Sequence, residues 1–179
     1  MKLVILDRDG VINKESDLFI KTPDEWIPIP GSLEAIALLN QHGFHVVVAT
    51  NQSGIARGLF DMVTLNAIHD KMQHAVALVG GHIEAIFYCP HAAGDNCECR
   101  KPKSNMITDI GHRFAVDLKK VPAIGDAMRD LQAFAKAGCQ PMLVKTGKGK
   151  ETLAKGNLPE NTLIFNNLAE AANYIVKKH

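Results

Sequence analysis

The stretch Leu3-Val4-Ile5-Leu6-Asp7-Arg8-Asp9-Gly10 decides the fold. Four consecutive apolar residues read as a strand covered on both faces, the pattern of a parallel sheet rather than the alternation of a half-exposed one. Two carboxylates come next, one residue apart, where that strand ends. Ligands of open parallel sheets bind outside the carboxyl ends of the strands, so Asp7 and Asp9 are aimed at the expected binding crevice. Alone, the pair is no more than a charged turn that stops a strand.

Outward from this stretch, apolar runs and helical patterns alternate. An irregular segment holding Pro23, Pro28 and Pro30 leads to a helix over residues 32–42, with Leu33, Ile36 and Leu39 on one face and Gly43 as its stop. Residues 44–49 read as a second buried strand. Asp61 caps a helix running to about residue 79, whose apolar residues recur at spacings of three and four. A third strand is expected over 83–88, a helix over 105–114, and a short strand over 121–124 that Pro122 makes start late. A helix over 127–137 ends at Gly138; strands over 142–144 and 163–165 and a helix over 168–176 complete the series. This repetition predicts an α/β fold, a Rossmann-like three-layer sandwich on a mainly parallel sheet, with residues 1–179 as one domain.

The chain has 179 residues, 46% of them apolar, and a formal net charge of +1. That length suits one well-packed core. The near-neutral balance gives no global basic field for nucleic acid, and aromatics at 6% offer few platforms for stacking bases. No stretch approaches the ~18–20 apolar residues of a membrane span. The first apolar run meets Asp7 at once, unlike a signal peptide. A cytoplasmic protein is expected, with reduced thiols. Nothing resembles an oligomerisation helix, so a monomer is expected.

Four segments that could do chemistry each come after an expected strand. They are Asp7 to Asp9, Thr50-Asn51-Gln52-Ser53, Arg100-Lys101-Pro102, and Gly125-Asp126 with Asp130 four residues on. The fold gathers strand tips on one edge, so acids, a hydroxyl, an amide and two cations come together there. A hard divalent cation such as Mg²⁺ takes one or two protein carboxylates. Asp7 and Asp126 supply these, and Asp9 adds a backbone carbonyl. Thr50, the backbone near Asn51, and Lys101 offer donors to a phosphate. One carboxylate can attack phosphorus and the other can move the protons, while Mg²⁺ and Lys101 neutralise developing charge.

Asp-x-Asp-Gly, Thr-Asn, Arg-Lys-Pro and Gly-Asp-x-x-x-Asp, in that order, resemble the haloacid dehalogenase (HAD) superfamily of phosphohydrolases over about residues 1–145. Residue by residue, the resemblance implies that Asp7 is the nucleophile and Asp9 the general acid/base. It implies that Thr50 and Lys101 stabilise the phosphoryl group, that Asp126 is a Mg²⁺ ligand, and that Asp130 supports Lys101. Residues 10–31 are too few for a cap domain, so the site is expected to be open at the top and bounded by loops.

Cys89-Pro90-His91 and Cys97-Glu98-Cys99 make a second constellation. Four soft or borderline ligands within eleven residues suit tetrahedral Zn²⁺. Three of the four cysteines of the chain lie here, and a reducing compartment disfavours disulfides. Four protein ligands close the coordination shell, so the zinc is structural and fixes Arg100 and Lys101 at the site. Cys139 reads as a small core residue.

The stretch Thr50-Asn51-Gln52-Ser53-Gly54-Ile55-Ala56-Arg57-Gly58, with the zinc loop, is similar to the D-glycero-D-manno-heptose-1,7-bisphosphate 7-phosphatase family. That resemblance implies a small phosphorylated sugar substrate, losing its 7-phosphate and keeping the anomeric one, in heptose synthesis for lipopolysaccharide core or surface glycans. Asn51, Gln52 and Ser53 would contact it, Arg100 and Arg57 would hold the second phosphate, and Glu15, Ser16, Asp17 and Leu18 would meet the sugar hydroxyls. The five-residue spacer between His91 and Cys97 is similar instead to the histidinol-phosphate phosphatases, which keeps that ester as an alternative. A nucleic-acid end phosphatase or zinc nucleic-acid module built on Arg100, Lys101 and Lys103 is a lower one, since phosphate contacts need more clustered cations than these.

Overall fold

The computed structural model describes residues 1–178. Six strands form one parallel sheet: β1 (Lys2–Leu6), β2 (Phe44–Asn51), β3 (Ala85–Cys89), β4 (Pro122–Gly125), β5 (Gln140–Val144) and β6 (Leu163–Phe165), in spatial order β3-β2-β1-β4-β5-β6. The chain winds outward from β1 through β2 to β3, then crosses back to lay β4 on the other side of β1. The winding therefore reverses between β1 and β4, and a crevice opens above these two strand ends.

Helices cover both faces. Val4, Leu6, Val46 and Val48 turn to a layer containing α1 (Ser32–Gln41), α2 (Met62–Leu78) and α6 (Leu168–Lys178). Leu3, Ile5, Val47 and Ala49 turn to α3 (Asn105–Phe114) and α4 (Met128–Ala137). The two-residue period of a strand thus divides one apolar run between two cores. This explains why β1 shows no polar alternation: Val4, Ile5 and Leu6 are all fully buried.

Most expected elements are present with shifted ends. β2 runs two residues further than its apolar pattern, because Thr50 and Asn51 pair with Tyr88 and Cys89. β3 starts at Ala85; Ile83 is buried but precedes the strand. Asp61 does cap α2, its carboxylate accepting from Thr64 N at 2.8 Å. One helix was not anticipated, α5 (Gly149–Lys155), whose sequence is polar and carries no apolar period. Among the described residues, the β1–α1 connection carries a single 3-10 turn at Pro23–Glu25 and no cap domain. No helix among them is long and apolar enough to cross a membrane.

Candidate active site

The carboxyl ends of β1, β2 and β4 meet the loop between β3 and α3 at one cavity of about 230 Å³. Asp7 comes directly after β1, and its N–H donates to Ile124 O at 2.9 Å, continuing the ladder with β4. Its carboxylate is buried. Lys101 is 1% exposed, and its ammonium reaches Asp7 Oδ1 at 2.9 Å, Asp130 Oδ1 at 2.8 Å and Ala49 O at 2.8 Å. Two of the ammonium hydrogens thus donate to Asp7 Oδ1 and Ala49 O, and Asp130 balances the charge as an ion pair, the partnering a buried cation requires. Burial lowers its pKa, but the charges of Asp130 and Asp7 outweigh that and keep Lys101 charged.

Lys101 is aimed by its backbone. Asn51 Nδ2 donates to Lys101 O at 3.0 Å, and Lys101 N donates to Asn51 Oδ1 at 3.1 Å. The segment after β2 is tied to the same loop by Gln52 N donating to Cys89 O at 2.7 Å.

Asp7, Asp126 and Asp130 bring one carboxylate oxygen each within 4.8 Å of one another. Burial and the neighbouring carboxylates push Asp7 up to about 7, with Lys101 opposing, and Asp126 up to about 9. Asp126 Oδ2 accepts from Lys148 N at 2.8 Å, whereas buried Asp126 Oδ1 has no hydrogen-bond partner. An excess of buried negative charge with an unmatched oxygen suits a hard divalent cation. Gly10, at φ +83°, shapes this place: a Cβ there would collide with the Asp126 carboxylate. Asp130 Oδ2 caps α4 by accepting from Ala127 N at 3.1 Å while its other oxygen pairs with Lys101.

The carboxylate of Asp9 does not join this group. Its Oδ1 accepts from Arg8 Nε at 3.0 Å, Arg8 NH2 at 2.8 Å and Asn13 Nδ2 at 2.9 Å, and its Oδ2 from Gln52 Nε2 at 3.0 Å. Burial raises its pKa, but Arg8 and these hydrogen bonds more than offset that and hold it below the ordinary value. Gln52 Nε2 also donates to Thr50 Oγ1 at 2.9 Å, so Thr50, Gln52 and Asp9 are linked in one row.

Cys89 Sγ, His91 Nδ1, Cys97 Sγ and Cys99 Sγ all lie within 4.8 Å of one another. Cys89 Sγ lies 2.9 Å from Cys99 Sγ, 3.6 Å from His91 Nδ1 and 3.7 Å from Cys97 Sγ, and all four cysteines of the chain are free thiols. A tetrahedral zinc with thiolates at about 2.3 Å has edges of about 3.8 Å, so a small expansion admits the ion. Arg100 NH1 donates to His91 O at 3.3 Å and Lys103 Nζ to Cys97 O at 2.6 Å, tying the cations to the loop.

The family model described as HAD-hydrolase-like matches residues 98–171. The D-glycero-β-D-manno-heptose-1,7-bisphosphate 7-phosphatase of Bordetella bronchiseptica is 60% identical over 178 residues, 99% of each chain. That of Pseudomonas aeruginosa is 55% identical over 98% of each. The crystal structure of D,D-heptose 1,7-bisphosphate phosphatase from B. bronchiseptica, complexed with magnesium and phosphate, superposes with a TM-score of 0.99 at 59% identity over the whole of both chains. This chain belongs to the D,D-heptose 1,7-bisphosphate 7-phosphatase family.

These heptose bisphosphate phosphatases match this chain end to end, so its short zinc spacer does not set it apart from that family. The structure brings together Asp7, Asp9, Asn51, Gln52, Ser53, Arg57, Arg100 and Lys101 along one cavity, which Glu15, Ser16 and Asp17 also line. Thr50 sits beneath them, 1% exposed. One expectation needs correction. Leu18 is 75% exposed and does not line the cavity; Phe19, at φ +66°, turns the chain so that its own ring faces in, 5.5 Å beneath the Arg57 guanidinium. The Asn51 side chain is committed to the Lys101 backbone, leaving its main chain to meet a substrate. The Asp9 side chain is committed to Arg8, Asn13 and Gln52, so only its main-chain carbonyl is left for a cation, as its ligand role required.

Arg129 and Lys148 also line the cavity and were missed. Arg129 lies between Asp126 and Asp130 in the sequence, a signal that was available. Burial lowers its pKa, but the surrounding acids, Asp130 first, hold it charged.

Proposed function

We propose that this chain is a phosphoric monoester hydrolase that removes the 7-phosphate of D-glycero-β-D-manno-heptose 1,7-bisphosphate and leaves the anomeric phosphate. The observation that carries the reading is the Asp7–Lys101–Asp130 cluster beside Asp126, at the base of a polar cavity in a member of this family. The β anomer is taken from the names of the relatives. Residues 1–179 act as one catalytic unit, a cytoplasmic monomer whose partner is the sugar phosphate alone, with neither nucleic acid nor membrane.

In this reading the Asp7 carboxylate attacks phosphorus in line with the ester oxygen. The phosphorus–oxygen bond to the sugar breaks, and Asp9 passes a proton to the departing oxygen. Water then attacks the aspartyl-phosphate, giving a proton to Asp9, and phosphate leaves with Asp7 restored. Thr50 and Lys101 donate to the phosphoryl oxygens throughout. Asp7, Asp126 and the Asp9 main-chain carbonyl would hold Mg²⁺, which when bound neutralises charge on the transferring group. Zinc at Cys89, His91, Cys97 and Cys99 is structural. Arg100, with Arg57 above Phe19, faces the second phosphate.

Turnover of both anomers of the heptose bisphosphate beside histidinol phosphate, with Mg²⁺, tests this. One phosphate released per sugar, fastest from the β anomer, is expected. Faster turnover of histidinol phosphate would overturn the substrate assignment.

A further inference from the structure

Arg8 lies between the two aspartates at 0% exposure, and the reaction above gives it no task. The alternation of β1 sends it to the opposite face from Asp7. Val4 and Leu6 pack in the α1–α2–α6 layer, and Arg8, two residues on, meets α2. There its NH1 lies 3.1 Å from His69 Nε2, while Nε and NH2 grip Asp9 Oδ1. His69 is itself 7% exposed, on a helix anchored by Leu65, Ile68, Met72 and Val76, each at 0%.

The hydrogen bond has one possible polarity. A guanidinium carries donors only, so Nε2 of His69 must accept, which places the ring hydrogen on Nδ1 and makes the imidazole neutral. Burial, with the Arg8 charge beside it, pushes His69 down to about 3 and favours the same form. A neutral acceptor at this point does two things. It satisfies the one edge of a buried guanidinium that faces the helix layer, and it fixes the rotation of the planar fork. The other edge then presents two parallel donors to Asp9 Oδ1.

We infer that His69 is a positioning residue for the reaction: through Arg8 it sets where the Asp9 carboxylate stands relative to Thr50 and the ester oxygen. The inference rests on the acid/base role proposed for Asp9. Arg8 and His69 touch no substrate atom in it. Asp9 must deliver a proton to an alkoxide and later take one from water, and both transfers are steep in distance and angle.

A histidine that merely fills space makes a different prediction, and the leaving group separates the two. A sugar ester needs a proton on its departing oxygen; p-nitrophenyl phosphate departs as a stable phenolate without one. Hydrolysis of the aspartyl-phosphate needs Asp9 with either ester. We therefore expect His69→Leu to lower kcat on the heptose bisphosphate about 10- to 100-fold with little change in KM. With p-nitrophenyl phosphate it should show a rapid first burst of one equivalent of p-nitrophenolate before slow steady turnover. His69→Gln, which keeps a neutral acceptor, should restore parental behaviour. Should His69→Leu not fold, Arg8→Lys replaces it: charge is kept, the fork is lost, and the same burst is expected. An equal loss on both esters without a burst, in either variant, overturns the inference, as does parental activity. Asp9→Asn serves as the reference. Absence of a burst there overturns the acid/base role itself, whereas a burst there but not in the His69 and Arg8 variants overturns only the positioning role.

Discussion

Asn51 and Lys101 stand 50 positions apart in the chain and are joined by two hydrogen bonds, at 3.0 and 3.1 Å, in which one side-chain amide reads both the N–H and the C=O of one backbone unit. The end of β2 therefore holds the zinc-loop exit, and Lys101 reaches Asp7 from a backbone that is clamped rather than free. The buried ammonium is thus placed through backbone hydrogen bonds made by the Asn51 amide.

Removing that clamp should cost rate more than stability. Asn51→Ala leaves two backbone groups seeking water at the cavity edge and lets Lys101 drift. A misplacement of about 1 Å corresponds to about 10²-fold in rate. We expect kcat to fall 10- to 100-fold, roughly, with a melting temperature near the parent's. Parental kcat in a folded Asn51→Ala protein would contradict the clamp.

The two aspartates of the first motif should separate by chemistry. Asp7→Asn is expected to fold and to lose all measurable turnover, since an amide cannot form the acyl phosphate. Asp9→Asn should retain Mg²⁺ binding through the main-chain carbonyl and lose about 10²- to 10⁴-fold in kcat. A beryllium fluoride complex should show the mimic on Asp7 Oδ; its seating elsewhere would remove Asp7 as nucleophile.

Zinc removal should act at a distance. The Arg100 guanidinium hangs on the His91 carbonyl, and Lys101 stands two residues after Cys99. Stripping the protein with a chelator and restoring Mg²⁺ alone should leave activity about 10²-fold low, with faster proteolysis within residues 90–99. Zinc should return both. Full activity with zinc proven absent would show that the loop folds without it.

Asp7 and Asp126 give the protein a defined pH response. Burial and neighbouring carboxylates raise them from 3.8 to about 7 and about 9. The metal-free folded state thus binds these protons more tightly than the unfolded chain does. The stability so conferred is complete below the ordinary carboxylate pKa and is lost as pH rises, through about 7 for Asp7 and about 9 for Asp126. Mg²⁺ competes for the same oxygens, so its affinity should climb across that window with release of protons. Calorimetric titration at about pH 6 and about pH 9 measures both; equal affinities at the two would refute the coupling.

Much of this was legible because a parallel sheet imposes a strong local signature. Strands buried on both faces must be continuously apolar, as residues 3–6 and 46–49 are, and the residues just beyond each such run must lie at the binding edge. Asp7, Thr50 and Asp126 could therefore be placed at that edge from chain position, and the Cys/His group from its eleven-residue span, whereas Lys101, twelve residues beyond β3, and the roles of all four needed the family resemblance. Helix α5 was not legible, because it carries no apolar period and what ties it down is tertiary: Thr152 Oγ1 donates to Asp126 O at 2.7 Å, and a Cβ at Gly149 would collide with Val144 O.

Local patterns along the chain sufficed for the order of the strands and of every helix but α5, for the residues at the strand ends and for the Cys/His group, since each depends on neighbours only a few positions away. Tertiary structure alone decided which partner every side chain takes. Asn51 meets Lys101, Arg8 meets His69 61 positions away, and Phe19 displaces Leu18 beneath Arg57. The physical reason is that such contacts depend on where distant elements come to rest, and that is settled by packing across the sheet, which no local pattern encodes.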